Sequence, residues 1–227
     1  MTTGLIVPAA GRGERLGAGG PKALQPLAGE PLLVHAVRAA VASGTIDIVV
    51  VAAPADHTGE VRAILAGEVA RLTVVAGGES RRASVAAALE SMPVEADIVL
   101  VHDAARCLTP PPVFAAVSAA VLAGAEAAVP AVPLADTVKR VAGEVVVDTP
   151  DRSALRAVQT PQGFRRTVLE RAHAMVGDDL TDDAGMVERL GVPVRIVPGH
   201  QDAFKITSPF DLLVAEVVLE RRAKATT

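Results

Sequence analysis

The sequence contains no tryptophan and no tyrosine, only 4 phenylalanines and a single cysteine among its 227 residues. Without indole or phenol rings, a base can be stacked only by phenylalanine or histidine, so any nucleobase is expected to be held by backbone and hydroxyl contacts. The lone Cys107 excludes an intrachain disulfide and a cysteine-rich zinc site, and a reducing cytoplasm is the expected location. No apolar stretch of about 18 residues is free of charge, proline or turn residues, so no membrane span is expected. The start also lacks the basic-then-apolar layout of a signal peptide. An excess of cations is missing too. Lys and Arg number 22 against 26 Asp and Glu, and the net charge of -4 argues against a general nucleic-acid binder. Local cations then call for a local, small anion. What is abundant is apolar: 50% of residues are hydrophobic, ample for the core of one α/β domain.

The chain opens with a short apolar run, Leu5-Ile6-Val7, that stops at Pro8 and gives way to Ala9-Ala10-Gly11-Arg12-Gly13-Glu14-Arg15-Leu16, with Pro21-Lys22 following. Small residues let backbone N–H groups approach a polyphosphate closely, and Arg12, Arg15 and Lys22 add positive charge. A dinucleotide fingerprint is excluded because Leu16 stands where its third glycine belongs, and no acidic ribose ligand ends a second strand. A P-loop is excluded because no Gly-Lys-Ser/Thr is present. The plain alternative is a solvated basic loop.

Beyond this loop, β-branched runs alternate with alanine-rich segments. Residues 46–51, 72–75, 98–101, 127–132 and 194–197 read as buried strands, near-continuously apolar as a sheet covered on both faces requires. Residues 55–69, 80–92 and 111–122 have helical spacing, and Ser208-Pro209 opens a last helix to about Arg222. The expected fold is a single three-layer α/β/α sandwich over residues 1–227, with a Rossmann-like, mainly parallel sheet. Ligands in such sheets lie at the carboxyl ends of the strands, so the loops at Pro8, Ala76, His102 and Pro133 are expected to converge on one crevice. Residues 136–163 break the alternation. They read as a β-hairpin turning at Ala142-Gly143-Glu144, with too little apolar mass to bury itself. A protruding dimerisation arm is the expectation.

At the strand ends, His102-Asp103-Ala104-Ala105-Arg106 sets a carboxylate just past a buried strand. Asp103 there either holds Mg²⁺ that keeps most of its waters, or caps the helix that follows. Asp202 is a second acid whose part in such a site is left open by the sequence. His102 reads as a packed structural residue, and Cys107 as a small buried hydrophobe. Gly77-Gly78-Glu79-Ser80-Arg81-Arg82-Ala83-Ser84 is a glycine turn entering a helix, in which Ser80 serves as a cap and Ser84 and the backbone as nucleoside contacts. Lys205 lies in a strand-like stretch and is either a snorkelling surface residue or a phosphate ligand at the crevice mouth.

Taken in order, V-P-A-A-G-R-G-E-R-L with P-K-A-L, G-G-E-S-R-R-A-S-V, V-H-D-A-A-R, D-T-V-K-R, L-R-A-V-Q-T-P-Q-G-F, T-D-D-A and F-K-I-T-S-P-F-D-L resemble the 2-C-methyl-D-erythritol 4-phosphate cytidylyltransferase family over nearly the whole chain. The first block alone is shared with the wider sugar-nucleotide pyrophosphorylase group, and ribitol-phosphate cytidylyltransferases have the same scaffold. The resemblance implies a magnesium-dependent transfer of CMP from CTP to 2-C-methyl-D-erythritol 4-phosphate, with release of pyrophosphate, in the non-mevalonate route to isoprenoids, by a homodimer. It implies that Ala9, Ala10, Gly11, Arg12 and Gly13 wrap the CTP phosphates, that Gly78, Glu79, Ser84 and Ala104 hold the nucleoside side, and that Asp103 binds the metal. Arg15, Lys22 and Lys205 are implied as catalytic cations. Arg106, Thr137, Arg152, Thr160, Thr181 and Lys205 are implied on the alcohol-phosphate side, the arm residues among them serving the neighbouring subunit. Arg12 and Cys107 depart from the family's commoner residues, which puts only the closure of the first loop in question. A polyol-phosphate cytidylyltransferase of other specificity, and a non-catalytic nucleotide-sensing domain, remain as alternatives.

Overall fold

The structure is a computed structural model that describes residues 1–11, 13, 20–175 and 180–226. Its centre is an eight-stranded sheet. Strand β1 (Thr2–Pro8) lies between β4 (Ile48–Ala53) and β6 (Ala96–Val101), parallel to both, and β5 (Leu72–Ala76) extends the sheet beyond β4. On the other side β11 (Gln162–Arg165) runs antiparallel between β6 and β7 (Ala127–Pro133). Strand β7 also takes β10 (Arg156–Val158), antiparallel, and β12 (Val194–Pro198), parallel. Two short strands, β2 (Pro26–Leu27) and β3 (Glu30–Pro31), form a separate hairpin.

Alternation within the strands sorts side chains between two helical layers. Leu5, Val7, Val49, Val51, Ile98 and Leu100 face one cluster, covered by α1 (Leu32–Val41), α2 (Thr58–Ile64) and α4 (Pro111–Leu122). Ile6, Val50, Val99 and Val101 face the other, covered by α3 (Arg81–Glu90), α5 (Arg166–Met175) and α6 (Asp183–Arg189). The three-layer sandwich is therefore as the sequence predicts. A third cluster joins Leu27, Leu32, Cys107 and Ile206 to α7 (Pro209–Thr226), and burial pushes the Cys107 thiol up to about 12. Cys107 is the small buried hydrophobe expected.

The differences are local. The strand expected at 46–51 is displaced to Ile48–Ala53, and the helix expected over 55–69 is only α2 preceded by a 3-10 turn at Ala55–His57. Gly67 then adopts φ +88°, a left-handed conformation incompatible with continuing the helix. Helices α1 and α5 are absent from the alternation read above. The largest correction concerns the arm. The free hairpin is confined to β8 (Arg140–Ala142) and β9 (Val145–Asp148), whereas residues expected in its returning limb form β10 and β11 of the main sheet. Phe164 is fully buried there, and that burial outweighs hairpin pairing.

Gly163 on β11 shows how tightly α4 is set on the sheet. A Cβ at this position would lie 2.5 Å from Val117 Cγ1 and 3.4 Å from Val121 Cγ2. Gly163→Ala should therefore push α4 outward and lower unfolding free energy by about 1–3 kcal/mol, the usual cost of overpacking, read by urea denaturation. Unchanged stability would show that α4 shifts freely.

Candidate active site

The strand order places a topological switch between β1 and β6, since the chain moves from β1 outward through β4 and β5 and then returns to β6. The crevice at these carboxyl ends is where an open α/β sheet takes ligands. Local hydrogen bonds fix its walls. Ala9 N–H donates to Ala52 O at 2.7 Å, Gly77 N–H to Ala53 O at 2.7 Å and His102 N–H to Ile6 O at 2.9 Å. The first loop folds back on Lys22, whose N–H donates to Gly11 O at 3.1 Å. Gly13 has φ +68°, and a Cβ on it would lie 2.6 Å from Lys22 Cβ. Arg12 and Arg15 lie outside the described residues.

The glycine turn before α3 packs closely on the first loop. A Cβ on Gly77 would sit 2.5 Å from Ala10 Cβ, and one on Gly78 would sit 2.5 Å from Ala83 Cβ. Ser80 caps α3 by accepting from Ala83 N–H at 3.1 Å, as expected. Ser84 is buried; its Oγ accepts from Gly78 N–H at 3.2 Å and donates to the Ser80 carbonyl at 2.9 Å. It thus sets the turn, while Gly78 and Glu79 remain exposed on it.

Asp103 is the centre of the charge pattern. Its Oδ1 meets Arg81 Nε at 3.2 Å and its Oδ2 meets Lys205 Nζ at 2.8 Å. Burial favours the neutral acid, but the charges of Arg81 and Lys205 overcome this and hold the carboxyl well below the usual carboxylate range. Asp103 precedes the 3-10 turn at Ala104–Arg106 yet makes no side-chain cap bond, so the capping alternative does not hold. Among the described residues no group of three or more acidic, histidine or cysteine side chains surrounds it. An ionised single carboxylate fits Mg²⁺, which commonly takes one or two protein carboxylates and completes its shell with water and substrate phosphates. Asp202 is engaged elsewhere, with Arg222 at 2.8 Å and Arg221 at 3.1 Å.

The sequence matches the family model described as 2-C-methyl-D-erythritol 4-phosphate cytidylyltransferase over residues 3–221. The chain belongs to this family. A protein of that name from Streptomyces coelicolor is 56% identical, the match covering 97% of this chain and 86% of the other. Its counterpart from Saccharopolyspora erythraea is 55% identical over 96% of this chain and 100% of the other. Among solved structures, the cytidylyltransferase of that name from Thermus thermophilus superposes with a TM-score of 0.78 at 36% identity, covering 96% of this chain and 98% of the other. The 4-diphosphocytidyl-2C-methyl-D-erythritol synthase of Anaerococcus prevotii reaches a TM-score of 0.84 at 24% identity, over 96% and 98% of the two chains, and speaks for the fold.

The remaining residues that the family resemblance implied divide into three groups. Ala104 is buried beside Asp103, and Lys205 is brought to the same carboxylate. Its backbone is pinned there because Ile206 N–H donates to Ala105 O at 2.8 Å. Arg106 adds its charge to those acting on Asp103, but its hydrogen bonds go to carbonyls of its own chain, Nη1 donating to Ala203 O at 2.8 Å and Nη2 to Val158 O at 3.3 Å. It ties segments of its own chain together. Thr160, placed above on a limb reaching the neighbouring subunit, is instead buried in its own chain, where Oγ1 accepts from Asp103 N–H at 3.0 Å. Its hydroxyl proton is then left for His102 Nδ1, 3.0 Å away, and burial lowers the His102 pKa to about 4. His102 is thus a packed structural residue, as read from the sequence. Thr137 and Arg152 are exposed at the base of the hairpin, where Arg152 bonds to the Ala135 carbonyl. Thr181 is exposed just before α6.

Sequence reasoning missed Arg81, Asp183 and Asp211. Arg81 stood inside a quoted motif, but its partners are 22 and 102 residues away. Asp211 had a legible signal, three residues after Ser208 at a helix start. Its Oδ2 accepts from Thr207 N–H at 2.7 Å, Ser208 N–H at 2.8 Å and both hydroxyls, anchoring the end of the Lys205 segment. Burial opposes ionisation, but these donors lower its pKa to about 2. The depressed value means that Asp211 stabilises the fold fully above about pH 4, near the unfolded carboxyl pKa, and loses this as pH falls toward that lower value. Asp211→Asn should therefore cost stability near neutrality, with the gap to wild type narrowing through this acidic range in denaturant titrations. A gap independent of pH would remove the charge from the account.

Proposed function

We propose that this chain transfers CMP from CTP to 2-C-methyl-D-erythritol 4-phosphate, giving 4-diphosphocytidyl-2-C-methyl-D-erythritol and pyrophosphate, a step of non-mevalonate isoprenoid precursor synthesis. Family membership supports the substrates. The observation that carries the chemistry is the buried, ionised Asp103 between Arg81 and Lys205, at the strand ends where the first loop and the Gly77-Gly78 turn meet.

An oxygen of the acceptor's phosphate attacks the α-phosphorus of CTP. The new P–O bond forms as the bond to the β-phosphate oxygen breaks, and pyrophosphate leaves from the opposite side. The nucleophile is already an anion, so no general base is needed. Lys22, fixed by the fold of the first loop, and Arg15 stabilise the charge that grows on the α-phosphoryl oxygens. Lys205 faces phosphate at the crevice mouth. Backbone N–H groups of Ala10, Gly11, Arg12 and Gly13 hold the triphosphate, with the Ala9 N–H given to the Ala52 carbonyl, while Gly78, Glu79 and the turn set by Ser84 hold the cytidine. Asp103 would be the protein ligand of Mg²⁺, which supplies neutralisation of the phosphate charge when bound.

Thr137, Arg152 and Thr181 are assigned to the acceptor's phosphate side, with Arg152 acting across a homodimer. The hairpin supports this reading, for Val141, Val145, Val146 and Val147 are 58%, 70%, 52% and 59% exposed. A two-stranded ribbon with that much exposed apolar surface is not stable alone in water, and a two-fold partner would cover it. A cytoplasmic setting is in keeping with the reading, and no helix among the described residues is long and apolar enough to cross a membrane.

Pyrophosphate release from CTP should be rapid with methylerythritol phosphate and slow with ribitol phosphate, ATP or GTP. A backbone-lined pocket at Ala10 and Gly78 is expected to be too narrow for a purine. Equal turnover with ribitol phosphate would reassign the substrate. Lys22→Ala should act on kcat, lowering it on the order of 100-fold; a raised KM at wild-type kcat would make Lys22 a binding residue only.

Mixing Lys22→Ala and Arg152→Ala chains should test the shared site directly. Each homodimer should be inactive, and random reassociation should restore about a quarter of wild-type activity through the one complete site of the heterodimer. No recovery after confirmed subunit exchange would place Arg152 in its own subunit's site or outside any site.

A further inference from the structure

More buried charge surrounds Asp103 than the transfer itself uses. Arg81 is the first residue of α3, three positions after Gly78, and its guanidinium spans two carboxylates. Nε meets Asp103 Oδ1 at 3.2 Å and Nη1 meets Asp183 Oδ2 at 2.7 Å. Asp183 has no exposed side-chain surface, and its other oxygen lies 3.1 Å from His173 Nε2. It is also the first residue of α6, two positions after Thr181. One side chain therefore touches the helix that follows the cytidine turn, the carboxylate at the end of β6, and the helix that follows the acceptor-side threonine. The helix α6 is further tied to the sheet: Gln162 Nε2 donates to Asp182 Oδ2 at 2.8 Å, and Gln162 Oε1 accepts from Ala184 N–H at 3.1 Å.

We propose that Arg81 is a positioning residue for the transfer, anchored by Asp183, and that this bridge between two buried carboxylates sets Asp103 and the acceptor-side helix at a fixed spacing from the cytidine turn. This rests on the role given to Asp103 above. A buried ion pair is a poor device for stability, because desolvating both charges consumes most of their attraction. It is a good device for geometry, since a planar guanidinium fixes the direction of two carboxylates at once. Asp183, itself fully buried, pairs with Arg81 Nη1 and so leaves Nε for Asp103 Oδ1, while Asp103 Oδ2 keeps Lys205. Lysine keeps the charge of Arg81 but not the fork.

The test compares Arg81→Lys, Asp183→Asn and the double variant for kcat, for CTP affinity by calorimetry without acceptor, and for thermal midpoint. Each single variant should melt cooperatively and lose about tenfold or more in kcat while CTP affinity changes by less than about threefold. The double variant should be no slower than the worse single one, because both act through one bridge. Unchanged kcat, multiplying losses in the double variant, or a loss of CTP affinity equal to the loss of kcat would each overturn the proposal. Should neither single variant melt cooperatively, the pair is structural and the proposal fails. Asp103→Asn in the otherwise wild-type chain separates the two readings. If it is inactive while the Arg81 and Asp183 variants retain full kcat, only the bridge is wrong; if it is fully active, the role of Asp103 itself falls.

Discussion

A carboxylate that stays ionised while buried is the constraint around which the crevice is built. Asp103 can be held there only if opposite charge is supplied within bonding distance, and three segments far apart in the chain supply or support it. Arg81 comes from the start of α3, Lys205 from the stretch before α7, and Thr160 from the segment joining β10 to β11. Each of these segments is itself secured: Ser80 caps the first, Ile206 N–H and Asp211 fix the second, and His102 engages the third. The polar interior of the site is therefore a set of mutual anchors, in which the buried carboxylate and the cations around it hold one another in place.

Close backbone approach is the second requirement, and it is met by small residues in the loops and by strand spacing in the sheet. Parallel neighbours β1, β4 and β6 bring their carboxyl ends level, so that loops after each open on the same side. Ala10, Gly77 and Gly78 then permit contacts that any larger side chain would block. Rigidity in these walls matters for phosphoryl transfer because the protein does little covalent work in it. Its contribution is placement of charge at the right distance, which depends on how little the walls move.

The hairpin of β8 and β9 follows a different logic. It carries its valines outward, and its two strands pair with each other rather than with the main sheet. The rest of what reads as an arm is drawn into the sheet because Phe164 and its neighbours gain more by burial beside β6 and β7 than by continuing a thin ribbon. That division sets Thr160 in the interior of the chain, against Asp103, and leaves Arg152 exposed at the hairpin's base.

By itself the sequence determined whatever depends on local pattern. Apolar strand runs such as Leu5-Ile6-Val7 and Ile98 to Val101, the Ser80 cap, the Pro111 helix start and the glycine-spaced first loop are visible because period, capping and turn chemistry act over a few residues. The fold class followed from their alternation, and Asp103 and Lys205 could be singled out as charges among apolar neighbours. Tertiary structure alone decided which charges meet. Arg81 looks like any solvated helix-start arginine until the sheet brings Asp103 and Asp183 to it from 22 and 102 residues away. The placement of β11 between β6 and β7, the inward turn of Thr160 and the diversion of Arg106 to carbonyls of its own chain are likewise decisions of packing. They depend on which surfaces are left uncovered once the core has formed, and that is a property of the assembled layers rather than of any stretch of chain.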